Sequence, residues 1–222
     1  MGQGGFPIDL VLFGLIAAFL VLRLRSVLGR RTGFERPPLD PQAASMGPRP
    51  PPVIEGRAEA PPPASRRPLP DPASPIGQAL ARMQDVDRTF DPQHFLSGAE
   101  TAFRFIVNGF ASGDRAALRP LLSEETYRTF DTAIAERESR GETQKTEIRG
   151  ITATTIEGAE LAATTARITV RFVSDQVNVT LGANGQPVAG TDAVTEINDL
   201  WTFERDLSAR DPTWRLVSAR SA

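Results

Sequence analysis

Fourteen of the 19 prolines fall between Pro37 and Pro75, and no other feature constrains the fold as much. The stretch includes PRPPP at 48–52 and PPP at 61–63, with almost no aromatic or β-branched residues. Such a segment buries too little apolar surface to offset the entropy of ordering it. Composition therefore predicts a Pro-rich disordered linker over residues 32–75, with polyproline II character. Whatever precedes it is held apart from whatever follows it.

Phe6 to Leu22 reads FPIDLVLFGLIAAFLVL, with Asp9 as its one charge. A spanning helix needs about 17–25 residues, so this run is short but sufficient if Asp9 sits at headgroup level and Arg23 snorkels. Arg23, Arg25, Arg30 and Arg31 flank it on the C-terminal side. Positive charge there places that side in the cytoplasm. The expectation is a single-pass anchor with its basic flank over residues 1–31. A cleaved signal peptide would carry its positive charge before the apolar run.

After the linker the pattern becomes that of a folded domain. Ile76, Leu80, Met83, Val86 and Phe90 recur every three to four residues, which predicts an amphipathic helix and its cap over 76–92. Asp91-Pro92 then starts a second helix, with Phe95, Ala99, Ala102, Phe103, Ile106, Val107 and Phe110 on one face. Gly113 stops it, and Asp114 caps a short piece interrupted by Pro120. Ser123 caps a last helix with Tyr127, Phe130, Ile134 and Ala135 inward, ending at Gly141.

Beyond residue 142 the period changes to two. Strands are predicted at Thr146–Ile156, Ala162–Ser174 continuing through Val177, Val179 and Leu181, Thr195–Leu207 and Trp214–Arg220. Asn184-Gly185 is a hairpin signal and Asp211-Pro212 a turn. Helices followed by hairpin-linked strands give an α+β domain over 93–222, with a curved antiparallel sheet covered by helices on its concave face.

The chemistry is defined mainly by what is missing. Without Cys there is no thiol nucleophile, disulfide or thiolate metal site. The single histidine, His94, reads as a surface or capping residue in the first turn of a helix. Residues 93–222 carry 14 basic and 18 acidic side chains, a net charge of −4, which argues against nucleic acid. Glu124/Glu125, Glu136/Glu138 and Asp199/Asp206 read as solvated faces or local salt bridges. No metal or cofactor is expected. A curved sheet under helices often leaves an apolar cavity. The residues chosen for its lining, or for partner binding, are Phe103, Val107, Phe110, Phe130, Ile134, Phe172, Trp201 and Phe203.

Several stretches together carry a family resemblance: FLSGAETAFRFIVNGFASGDRAALRPLLSEETYRTFDTAIAERESRGE at 95–142, IRGI at 148–151, ARITVRFVSDQ at 166–176 and DLWTFERDLSARDPTWRLVSA at 199–219. They resemble the membrane-associated motor-tethering subunit of the mitochondrial inner-membrane protein import translocase, and more closely its bacterial relatives. The anchor followed by LRSVLGRRTG at 24–33 is similar to the bacterial members. The resemblance implies a cone similar to the nuclear transport factor fold, with an apolar pocket and no catalytic centre. It implies a single-pass protein of the bacterial inner membrane with its C-terminal domain in the cytoplasm, a scaffold or holder of polypeptide clients or membrane-protein partners. Binding of anionic lipid is the alternative it leaves. The family often has Lys where this chain has Glu100, its hairpin is usually charged where this one reads LGANGQPVAG at 181–190, and its long chaperone-binding N-terminal region is not matched.

Overall fold

The structure, a computed structural model, describes residues 67–222. The expected anchor at 1–31, with Arg23, Arg25, Arg30 and Arg31, and most of the linker lie outside the described residues. Among the described residues no helix is long and apolar enough to cross a membrane.

Among the described residues four helices precede four strands. They are α1 (Pro75–Val86), α2 (Pro92–Ser112), α3 (Arg115–Leu118), α4 (Glu124–Ser139), β1 (Thr143–Ala162), β2 (Thr165–Leu181), β3 (Pro187–Asp206) and β4 (Arg215–Ser221). Each helix begins where its sequence can cap it. Ser74, Asp91, Asp114 and Ser123 accept from the backbone N–H groups of Gly77, Gln93, Ala117 and Thr126, satisfying donors left open at a helix start. Pro75 and Pro92 occupy first-turn positions, where no N–H is needed. Phe90 and Phe95 flank the Asp91 cap as a hydrophobic staple, with ring centroids 6.3 Å apart.

The strands form one antiparallel meander in the order β1-β2-β3-β4. The expected break between the first two strands is displaced. Residue 162 ends β1, and the turn falls at 163–164, with Ala163 at φ 52°. Ala163 is the one non-glycine residue at positive φ among the described residues, and no glycine or proline at 163–164 announces the turn. Register shifts at Ile148/Gly150, Ile151/Ala153 and Ile156/Gly158 mark bulges in β1, each of which bends the strand and increases its twist.

Helices and sheet share one core. Leu80 and Met83 of α1 and Phe95, Leu96, Phe103 and Ile106 of α2 meet Ile168, Val170, Phe172, Trp201, Phe203 and Leu216 of the sheet. Helix α1 is therefore part of the domain. It also needs a glycine at 77, because the chain at Asp71 and Pro72 crosses too close for any Cβ there. In α4 the inward set differs from the expected one. Ala135 is exposed, Ile134 is buried, and Thr126, Thr129 and Arg137 turn inward. The reason for Arg137 is specific. Its guanidinium donates to the Phe110 and Ala111 carbonyls at 2.8 and 3.1 Å and to Gln144 Oε1 at 2.7 Å, so the buried group is hydrogen-bonded at both terminal nitrogens.

Candidate functional site

A cleft of about 430 Å³ opens between the start of α2 and the β3–β4 end of the sheet. One wall is α2, where His94, Gly98 and Ala102 follow each other at one-turn spacing. A Cβ placed on Gly98 would meet nothing within 4 Å, so that wall is open over its centre. The apolar base combines Phe90, Phe95, Leu121, Phe203 and Trp214. Four of these rings interlock: Phe95–Trp214 at 4.8 Å, Phe90–Trp214 at 5.9 Å and Phe95–Phe203 at 6.1 Å. Two of these pairs meet edge-on and the Phe90–Trp214 pair is tilted, arrangements that aromatic rings favour.

The polar groups converge at one side. Thr89, Asp91 and Arg205 line the same cleft. Arg205 Nη2 lies 3.0 Å from Asp87 Oδ2, and the two side chains are 12% and 11% exposed. Asp87 is itself fixed by Thr89, whose hydroxyl and backbone N–H both donate to Oδ1, at 2.6 and 2.9 Å. Those two hydrogen bonds hold the Asp87 carboxyl below its ordinary value. Arg205 Nε is buried without a hydrogen-bond partner among the described residues. A buried donor left unmatched costs about 1–3 kcal/mol, so few persist in native structures.

The eight residues expected to line a pocket are placed differently. Phe203 borders this cleft. Phe103, Phe172 and Trp201 stack with one another at 4.5–5.9 Å, and that packing leaves them as core. Val107, Phe110 and Ile134 are buried in the same core, and Phe130 packs on it edge-on to Phe110 at 5.1 Å. Asp199, expected on a solvated face or in a local salt bridge, is 1% exposed, because it occupies the inward face of β3 opposite Phe172. Sequence reasoning passed over Phe90, Trp214 and Arg205. The first two had a readable signal, since Phe90 directly precedes Asp91-Pro92 and Trp214 stands two residues after Asp211-Pro212, both at element boundaries. Nothing marked Arg205.

A second anchoring point lies where the described chain begins. Arg67 forks onto Glu100, with Nε to Oε1 at 2.7 Å and Nη2 to Oε2 at 2.5 Å, and donates to Ser97 at 2.9 Å. Gln93 Nε2 donates to the Arg67 carbonyl at 2.6 Å, and Thr154 of β1 adds a 2.6 Å bond to Glu100 Oε1. Burial alone would raise the Glu100 carboxyl. The hydrogen bonds from Arg67 and Thr154 outweigh it, and the net shift is downward. Residues 67–75, within the segment expected as linker, thus lie against the domain.

Helices over one face of a four-stranded antiparallel meander, with a cleft at one end, define an α+β domain with an aromatic-based groove. The Tim44-like domain family model matches residues 76–221, and the chain belongs to that family, which is related to translocase motor-tethering subunits. Among solved structures, the chain is similar to the intermembrane space region of chloroplast protein ARC6. Identity is 10%, coverage is 66% of this chain and 92% of that one, and the TM-score is 0.35. A search of curated proteins found no significant match.

Proposed function

We propose that this protein is a non-enzymatic, membrane-tethered protein-binding factor on the cytoplasmic side of a bacterial inner membrane, holding or scaffolding polypeptide clients or membrane partners. The observation that carries the reading is the cleft, an aromatic base beside a few convergent polar groups, the usual make-up of a binding pocket. Family membership supports a role beside protein translocation.

Two other modes have less support. Strand addition needs a regular free edge, but β1 is broken by three register shifts and β4 is bordered by Leu121–Ser123, which bonds Leu216 at 2.8 and 2.9 Å. A lipid-binding module would draw on amphipathic α1, yet the apolar face of α1 is spent on the core.

A photoreactive residue at His94, on the cleft rim, tests the proposal in the membrane-bound chain. Defined polypeptides should be captured there, and not from the same probe at Phe105, which is 61% exposed on the same helix. Capture of lipid alone at His94 would overturn the reading.

A further inference from the structure

We propose that Arg67, Glu100 and Thr154 form a clip that sets the width of the cleft from the far side of α2, and so its hold on a client. This rests on the reading of the cleft as the binding site and adds the residues that position its wall.

The first observation is where the two features sit on one helix. The cleft wall is His94, Gly98 and Ala102. The clip engages Gln93, Ser97 and Glu100 over the same turns. Glu100 is two residues from both Gly98 and Ala102. At 3.6 residues per turn that places it about 160° away from each, on the opposite flank of α2.

The second is what the clip joins. Glu100 Oε1 accepts from Thr154 of β1 at 2.6 Å and from Arg67 Nε at 2.7 Å, so one carboxylate ties α2 to β1 and to the segment ahead of α1. Arg67 and Thr154 stand 33 and 54 residues from it in sequence. The sheet order is β1-β2-β3-β4, and the far wall of the cleft, with Phe203, Thr213 and Trp214, belongs to its β3–β4 side. Pinning α2 toward β1 therefore fixes its distance from that wall. The Arg67 fork adds direction to the contact as well as charge.

The third is what the other flank lacks. A Cβ on Gly98 would meet nothing within 4 Å, so α2 has no brace at the centre of the cleft wall. Its position across the cleft depends on the clip and on the core beneath it.

The test uses the full chain in phosphatidylcholine nanodiscs. The chain has no Cys, so Gly98→Cys with Thr213→Cys gives one spin-label pair across the cleft, read by pulsed dipolar resonance. Arg67→Ala and Thr154→Val each open one arm of the clip in that background. In the unlabelled background the same two variants carry the photoreactive residue at His94.

Each variant should shift or broaden the 98–213 distance by at least about 1 Å, the looseness that spoils a positioned site. Polypeptide capture at His94 should fall about threefold, the scale of one partly exposed ion pair. A parent-like distance in either variant overturns the inference, even if its thermal midpoint falls, because a purely structural role lowers stability without moving the wall. A moved distance with parent-like capture also overturns it. If the distance moves while the parent itself captures no polypeptide, the protein-binding reading falls and the clip still sets the width of the cleft.

Discussion

The two halves of the sheet share strands, pleat and pairing, yet they bury opposite chemistry. Along β2 the inward positions read Ala166, Ile168, Val170, Phe172, then Ser174, Gln176, Asn178. In the first half they face aromatic and aliphatic side chains of α2 and β3. In the second half they join a chain of side-chain hydrogen bonds. Arg137 donates to Gln144, Gln144 to Thr146, Thr146 to Asn178, Asn178 to Gln176 and Gln176 to Ser174, at 2.6–3.2 Å. Every link donates in the same direction, away from the guanidinium. The lesson is that inward alternation specifies which face is covered, not what covers it. A strand keeps its period while its partner changes from a dry core to a polar network.

That contrast can be broken at graded cost. The largest effect belongs to the apolar half: Phe172→Ala should lower stability by about 3–5 kcal/mol in urea unfolding, because it leaves a void against Phe103 and Trp201. Arg137→Met should cost about 2–3 kcal/mol, since two α2 carbonyls and Gln144 lose their donor. Gln176→Leu is the sharper probe and should cost about 1–2 kcal/mol through the unmatched groups of Ser174 and Asn178. A gain in stability instead would mean that the polar half behaves as ordinary core.

Smaller effects follow at the edges of the domain. The lowered Glu100 carboxyl contributes stability that is complete above the ordinary carboxylate range, near pH 4, and is lost as pH falls through its depressed value. Protection of the amides across 68–74, measured against the intrinsic exchange rate at each pH, should therefore fall on acidification. Glu100→Gln should lower that protection at neutral pH and cancel its pH dependence, at about 1 kcal/mol. Val188→Thr, more than half exposed near the β2–β3 turn, should stay within about 0.5 kcal/mol.

Legibility followed locality. The Asp91, Asp114 and Ser123 caps were plain in the sequence, as was the turn around Gly185, at φ 74° with Gly182 N–H donating to the Gln186 carbonyl at 2.8 Å. The site was less so. Phe103 and Trp201 were correctly read as inward residues, but inward is shared by core and cleft. Only the closeness of their rings, 4.7 Å between centroids, separates one from the other.

By itself the sequence determined the α+β order, the capped helix starts and the inward faces of the strands, because each depends on residues within a turn or a pleat of one another. Tertiary structure alone decided that Thr89, Arg205 and Trp214 meet, that Arg67 docks on Glu100, and that Asp199 lies opposite Phe172. Those pairings join residues far apart in the chain. Their distances are set by how α2 lies across the sheet and by the bulged register of β1, which no local pattern encodes.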